Sequence, residues 1–223
     1  MKKLALAVGI SAALLSGAVS AHQAGDVIVR AGGALVIANS QSKTTTDTKV
    51  NLEVNNNAQL GLTGTYMFTD NLGVELLAAT PFSHKISATI PALKDHPQLG
   101  GFYDLGNVVK LKQLPPSLYV QYYFLDKDAG SRPYIGAGLN YTRFFDAEST
   151  NPAITNLKVK KHSFGPVVNA GIDIKLTDNL YFNTAMWYTH IRTKAQFSAL
   201  NADHEVKIKL DPIVFFTGLA YRF

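Results

Sequence analysis

The feature that most constrains this sequence is an alternation of apolar and polar residues with a period of two, repeated in stretches of about ten residues. Successive side chains of a β-strand point to opposite faces, so each stretch is typical of a strand with two different surroundings. Eight such stretches occur, near residues 26–38, 57–69, 72–80, 117–125, 132–145, 162–175, 180–193 and 205–223. The pattern predicts an all-β fold, an eight-stranded antiparallel transmembrane β-barrel.

One face of each stretch suits contact with lipid. In the second stretch Leu60, Leu62 and Tyr66 share a face, whereas Gln59 and Thr63 lie on the other. A soluble barrel would carry the opposite arrangement, with the apolar face inward. We therefore expect the apolar faces to point out of the barrel into a membrane.

The connections between the stretches alternate between short and long. Asp70-Asn71, residues 126–131 and Asp178-Asn179 are short and carry turn-forming residues. Four longer connections are predicted to be loops, at 39–56, 81–116, 146–161 and 194–204. Short periplasmic turns and long extracellular loops are typical of outer-membrane barrels, which places both chain ends on the periplasmic side.

The N-terminus has the three parts of a secretory signal. Lys2 and Lys3 precede an apolar run from Leu4 to Leu15, and small residues ending at Ala21 follow it. An uncleaved anchor is the alternative, but the run is shorter than the roughly 20 residues of a spanning helix. The sequence predicts a signal peptide over 1–21, removed after Ala21, and a barrel over 22–223.

Composition narrows the class of protein further. The chain has no cysteine, so an exported domain must be stabilised without disulfides, as a barrel closed by inter-strand hydrogen bonds can be. After Ala21 no segment has 18 consecutive apolar residues, which excludes a helical membrane protein. Removal of two lysines with the signal lowers the net charge from +5 to +3. The remaining cations are scattered, which argues against nucleic-acid binding.

Several segments resemble the OmpW family of small outer-membrane proteins, to which the alkane-import protein AlkL belongs. The segments are Gln59-Leu60-Gly61-Leu62-Thr63, residues 69–82, residues 132–141, Leu210-Asp211-Pro212 and Tyr221-Arg222-Phe223. The resemblance covers essentially the whole chain after the signal. It implies an eight-stranded barrel in the outer membrane of a Gram-negative bacterium, with a hydrophobic inner pocket and a role in the uptake of small hydrophobic compounds.

The last residue, Phe223, ends an alternation of aromatic and apolar side chains and resembles the signal read by the barrel-assembly machinery. An ordinary closing strand with Phe223 in the interfacial aromatic girdle is the other interpretation, and both can hold together. The expected partners are therefore this machinery, outer-membrane lipids and small hydrophobic molecules, and no nucleic acid.

Strand parity places charged residues in the lumen. Arg30, Glu75, Asp173 and Arg222 are predicted to point inward near one level of the periplasmic half. An eight-stranded barrel is barely wide enough for its own side chains, and buried charges must be paired. We expect these four groups to form a charge plug, which also stabilises the barrel and stops water-soluble solutes.

The same parity predicts an apolar inner surface nearer the extracellular end. It consists of Leu77, Ala79, Tyr119, Trp187, Val214 and Phe216. Because most membrane barrels have polar interiors, this surface indicates a binding site for a hydrophobic ligand. The alternative is a packed interior with no cavity.

No sequence motif points to an enzyme or a cofactor. The chain has no nucleophile elbow, phosphate-binding loop or dinucleotide fingerprint. His84 and His96 share a predicted loop and could meet at a metal, but two solvated loop histidines are the simpler interpretation. We expect neither catalysis nor a bound metal.

Three functions remain open for such a barrel. The first is passive uptake of hydrophobic compounds with lateral exit into the bilayer, since Pro81, Pro166 and Pro212 each remove a ladder donor and favour gaps between strands. The second is a structural or adhesive envelope barrel that needs only its loops. The third is a narrow ion-conducting pore.

Overall fold

The computed structural model describes residues 22–45, 49–94, 104–152, 154–199 and 202–223. The predicted signal peptide and His96 lie outside these residues. In chain order the strands are β1 (Val27–Ile37), β2 (Gln41–Thr44), β3 (Asn51–Val54), β4 (Asn57–Met67), β5 (Leu72–Ala79), β6 (Phe82–Thr89), β7 (Asp104–Leu114), β8 (Ser117–Tyr123), β9 (Ser131–Ser149), β10 (Thr155–Val159), β11 (His162–Lys175), β12 (Leu180–Thr189), β13 (Arg192–Ala199), β14 (Ala202–Lys209) and β15 (Ile213–Arg222). A single 3₁₀ turn, Pro91–Leu93, follows β6 in the described part of the chain.

Eight of these strands close a ring, which we call the membrane tier. Its strands are β1, β4, β5, β8, β9, β11, β12 and β15, and every neighbouring pair is antiparallel. Closure comes from β1, which pairs with β4 on one side and with the last strand, β15, on the other. The predicted eight-stranded antiparallel barrel is confirmed.

The outer surface of the membrane tier is apolar. Leu60, Leu139 and Phe164 are among its most exposed side chains, with 69%, 68% and 74% of their surface accessible. Large apolar side chains left this exposed around a whole ring require lipid rather than water outside it. The predicted lipid-facing parity is confirmed. Among the described residues, no helix has the length and apolarity needed to cross a membrane.

The four predicted long loops are wrong in part, because seven further strands lie wholly or partly within them. These are β2, β3, β6, β7, β10, β13 and β14, and β9 also extends beyond the membrane tier. The last two predicted stretches each break in two. Residues 190–191 separate β12 from β13, and residues 210–212 separate β14 from β15, where Asp211 has a φ of 30° and Pro212 lacks an amide donor.

We call this second set of strands the extracellular tier, because it lies at the end away from the short turns. One sheet has the order β9-β7-β6-β3, and the other has the order β10-β13-β14-β2. The edge strands β3 and β2 are joined through side chains: the Leu52 amide donates to Ser42 Oγ at 2.8 Å, and the Val54 amide donates to Ser40 Oγ at 3.1 Å. The tier thus encloses an interior of its own.

That interior is packed with apolar side chains. It includes Val50, Leu52, Val54, Ile86, Val108, Leu111, Phe144, Phe197, Val206 and Ile208. The barrel therefore has two separate interiors, one inside the membrane tier and one above it inside the extracellular tier.

Candidate functional site

Arg30 is the centre of the plug inside the membrane tier. Its guanidinium is 1% exposed and donates two hydrogen bonds to Asp173, from Nε to Oδ1 at 3.2 Å and from Nη2 to Oδ2 at 2.5 Å. Its Nη1 donates to Glu75 Oε2 at 2.5 Å. The fork of the guanidinium suits such paired contacts, so one buried cation joins two buried carboxylates.

Uncharged groups complete the hydrogen bonds of the two carboxylates. The hydroxyls of Thr65 and Tyr119 donate to Glu75. The Asn183 amide donates to Asp173 Oδ1 at 2.8 Å. Buried charges are tolerated when they are paired and hydrogen-bonded in this way, and the network blocks the lumen with fixed polar contacts.

The level predicted for Arg222 needs correction. Arg222 keeps the inward parity of β15, but it pairs in register with Ile28, two residues closer to the periplasmic rim than Arg30. Its Nη1 lies 3.6 Å from Asp26 Oδ2. Parity assigns a face of the strand and not a height in the lumen, which is why sequence reasoning placed Arg222 too high.

Among the residues of the plug region that sequence reasoning missed, two are basic. His22 is fully buried, and its Nε2 lies 2.8 Å from Asp173 Oδ2. Arg132 Nη1 donates to the His22 carbonyl at 2.8 Å. The inward parity of Arg132 on β9 could have revealed it. His22 precedes the first strand, where no alternation exists to be followed.

Trp187 and Tyr119 separate the plug from an apolar cavity above it. Trp187 Nε1 donates to the Tyr119 hydroxyl at 2.8 Å, and that hydroxyl in turn donates to Glu75. Five of the six residues predicted for the apolar surface line the cavity: Leu77, Ala79, Trp187, Val214 and Phe216. Tyr119 instead lies beneath it, because its hydroxyl requires the polar partners of the plug.

The cavity is small, with a volume of about 30 Å³. An engineered apolar cavity that binds benzene is much larger, at about 150 Å³. Gly61 contributes to this space, because a Cβ atom there would lie 3.1 Å from the Phe216 ring. A hydrocarbon ligand would therefore have to move side chains apart. Leu77 is one side chain that can move, because it is only partly buried.

The extracellular tier forms the roof of the cavity through Phe82, Gln113 and Ile191. Gln113 Nε2 lies 2.9 Å from His84 Nε2, and His84 Nδ1 lies 3.0 Å from the Asn55 carbonyl. The prediction of a solvated loop for His84 is wrong, since His84 lies in β6 and is 2% exposed. Its burial lowers the pKa of the imidazole, against a smaller opposing effect of the Asn55 carbonyl.

The described residues contain no cluster of three potential metal ligands.

The barrel wall has a break beside the cavity. The ladder between β5 and β8 ends at the pair Leu77 and Ser117. Among the described residues, no ladder pair or backbone hydrogen bond joins 78–81 to 115–116. Pro115 and Pro116 lack amide donors, and Pro81 follows β5, so the wall cannot be completed by backbone hydrogen bonds from these residues.

The other two prolines do not leave such a break. Pro166 pairs in register with Leu139, and its carbonyl accepts from the His190 amide at 3.0 Å. The Pro212 carbonyl accepts from the Thr189 amide at 3.2 Å. Of the three prolines singled out in the sequence, Pro81 alone flanks the break.

Comparison with known proteins agrees with this architecture. The model of the OmpW family matches residues 23–223. The chain belongs to the OmpW family. Outer membrane protein W of Vibrio cholerae is 43% identical over 227 residues, with all of both chains covered. Members of this family with that name are outer-membrane proteins, and the localisation predicted from the sequence is confirmed.

Two solved structures that match more than nine-tenths of this chain share its fold. The crystal structure of OprG from Pseudomonas aeruginosa has a TM-score of 0.81 at 35% identity, and the match covers 92% of this chain and 99% of OprG. The solution structure of Outer Membrane Protein W from Escherichia coli has a TM-score of 0.59 at 38% identity, over 91% and 100% of the two chains. Both are outer-membrane barrels.

Proposed function

We propose that this OmpW-family barrel takes up small hydrophobic compounds passively and releases them sideways into the outer membrane. One observation carries the proposal: an apolar cavity lies directly above a charged plug and beside a break in the barrel wall. A ligand that enters from the extracellular side meets a closed polar floor and an incomplete side wall.

Free energy favours the sideways route for an apolar ligand. Passage through the plug would require a hydrocarbon to displace the buried contacts of Arg30 with Glu75 and Asp173. Breaking a buried ion pair costs about 3–5 kcal/mol. Transfer from water into the bilayer instead gains about 0.8 kcal/mol for each buried methylene. The break beside Ala79 offers that path without disturbing the plug.

The size of the cavity sets a condition on this function. At about 30 Å³ it holds no hydrocarbon in its present shape. Entry must therefore be coupled to movement of apolar side chains, both in the packed core of the extracellular tier and at Leu77 and Val214 around the cavity. These side chains have no polar contacts to break, so their displacement costs packing only.

A structural or adhesive role is the second candidate, and the small cavity volume is the observation that favours it. Such a role needs a filled and stable barrel, which both tiers supply. The narrow pore has less support, because the plug leaves its charges paired to one another and gives ions no hydrated path.

Uptake of a hydrocarbon by cells tests the proposal. Cells carrying Leu77→Asp should lose uptake, because an unpaired charge in the cavity holds water there and repels an apolar ligand. Leu77→Met keeps volume and polarity and is the matched control. Surface expression is measured in parallel. Equal uptake by Leu77→Asp and wild type at equal expression would remove the cavity from the mechanism and favour the structural role.

A further inference from the structure

Four lysines lie side by side on the outer wall of the extracellular tier. In register, Lys194 of β13 pairs with Lys207 of β14, and Lys207 pairs with Lys43 of β2. On the other side of β13, the Lys160 amide donates to the Lys194 carbonyl at 2.8 Å. One row of cations thus crosses four adjacent chain segments.

A second row lies next to the first. Arg192 of β13 pairs in register with Lys209 of β14. All residues of the two rows except Lys43 line a shallow hollow of about 260 Å³. We call these six residues the lysine face: Lys43, Lys160, Arg192, Lys194, Lys207 and Lys209.

Few acids balance the lysine face. Lys194 lies 2.9 Å from Glu205, and Arg192 lies 3.5 Å from Asp211. Hydrogen bonds from Gln196 and Lys194 lower the pKa of Glu205, so this partner stays ionised. In the part of the chain that the structure describes, the four other cations of the face make no ion pair; these are Lys43, Lys160, Lys207 and Lys209.

This arrangement costs stability unless an anion is bound. Like charges placed directly opposite on neighbouring strands destabilise a sheet. Here Lys194, Lys207 and Lys43 are such direct neighbours. Six cations and two acids leave an excess of four positive charges on the lysine face.

The opposite sheet of the same tier does not carry this excess. There Lys85 pairs in register with Lys110, but Lys110 also pairs with Glu148, and Lys112 lies 3.0 Å from Asp146. Acids therefore accompany the lysines on that wall. This difference points to a ligand on one side of the barrel only.

The height of the lysine face identifies its surroundings. Tyr188 is the last lipid-facing residue of β12 and is 42% exposed. Arg192 follows four residues later, which at about 3.3 Å per residue and a strand tilt of about 40° is roughly 10 Å beyond the aromatic ring. The headgroup region extends about 5–8 Å beyond the hydrocarbon on each side. Arg192 and its neighbour Lys209 therefore lie just beyond the headgroup region, and their long flexible side chains extend down to it, as lysine and arginine do at membrane surfaces.

We propose that the lysine face binds the phosphate groups of a phosphorylated glycolipid in the outer leaflet. Lysine ammonium groups are flexible point charges that suit phosphate oxygens. A lipid headgroup presents its phosphates at this height, and it remains against the wall because its acyl chains pack on the apolar belt below. The bound lipid would supply the negative charge that the two rows lack.

Titration with lipid A, a bisphosphorylated glucosamine-disaccharide lipid, tests the proposal. The barrel in phosphatidylcholine nanodiscs should bind lipid A, and Lys160→Gln/Lys207→Gln/Lys209→Gln should bind about a hundredfold more weakly, at roughly fivefold for each lysine near a lipid headgroup. Lys85→Gln/Lys110→Gln/Lys112→Gln removes the same charge from the opposite wall and should bind as the wild type does. Heat-modifiable migration in electrophoresis checks that each barrel is folded.

Three results would overturn the proposal. The first is equal affinity of the wild type and the triple variant of the lysine face. The second is equal binding of lipid A from which both phosphates have been removed. The third is equal affinity for inorganic phosphate alone, which would assign the face to the free ion rather than the lipid. If the triple variant does not fold, Lys207→Gln alone should weaken binding about fivefold, and unchanged binding there would also contradict the proposal.

Discussion

The two tiers of the barrel carry the same alternation with opposite polarity. In the membrane tier, apolar side chains point outward and the plug fills the inside, whereas in the extracellular tier the core is apolar and the charges lie outside. Strand β9 runs through both, and its inward face changes from Arg132 and Asn140 to Phe144. The period of two therefore specifies a strand, and the medium outside the barrel decides which face is polar.

The candidate site lies where this polarity changes. Trp187 closes the polar interior below, and Phe82 and Ile191 begin the apolar interior above. The cavity lies above the hydrogen-bond network of the plug, and apolar side chains form most of its lining. Substitutions that act on one tier and not the other test this division.

The largest effect should come from the plug. Asp173→Ala leaves Arg30 without its two-bond partner in a fully buried site, which should lower the free energy of unfolding by about 3–5 kcal/mol. Denaturant unfolding of the refolded barrel in lipid measures this. Asp146→Asn removes an exposed ion-pair partner of Lys112 in the extracellular tier, keeps a residue that tolerates the φ of 50° at this position, and should cost less than about 1 kcal/mol. Equal losses in the two variants would mean that the plug is hydrated rather than buried.

An intermediate effect is expected from a charge on the outer face. Leu62 is outward-facing near the middle of β4 and 51% exposed, so Leu62→Arg should cost about 2–4 kcal/mol in the bilayer. Asn51→Arg, on the exposed face of β3 in the extracellular tier, should change stability by no more than about 0.5 kcal/mol. Similar losses would show that the extracellular tier is not surrounded by water.

The smallest effect concerns pH and the roof of the cavity. Burial lowers the pKa of His84, so the unfolded chain binds the proton more readily than the folded one does. Stability of the extracellular tier should therefore fall as the pH decreases through the ordinary histidine value of about 6.5. Hydrogen exchange of β6 and β7 measures this, and His84→Gln should flatten the dependence. If the protection of β6 against hydrogen exchange increased on acidification, this would contradict the claim that the His84 imidazole is buried and neutral.

The sequence predicted the membrane tier closely because lipid enforces its alternation over whole strands. The stretch 57–69 contains β4 (Asn57–Met67), and 162–175 coincides with β11 (His162–Lys175). The shortest strands of the extracellular tier were predicted as loops because they have few residues and are polar on one face, as β2 with Gln41–Thr44 is. Four residues are too few for a periodic pattern to be distinguished from a polar loop.

The site was predictable in part for a similar reason. Parity gives the face of a strand, so Leu77, Ala79 and Trp187 were expected inside and line the cavity. Parity gives neither height nor volume, so the level of Arg222 and the size of the cavity required the structure. His22 lies outside any strand and had no pattern to reveal it.

The most direct test of the central claim uses Trp187, which is the only tryptophan in the sequence and lines the cavity floor. A brominated alkane that enters the cavity should quench its fluorescence by contact. Brominated lipid tails should not, because Trp187 faces inward and is 1% exposed. We expect strong quenching by the alkane in the wild type and Leu77→Met and little in Leu77→Asp. No quenching in the wild type, or equal quenching in Leu77→Asp, would contradict a hydrophobic ligand site above the plug.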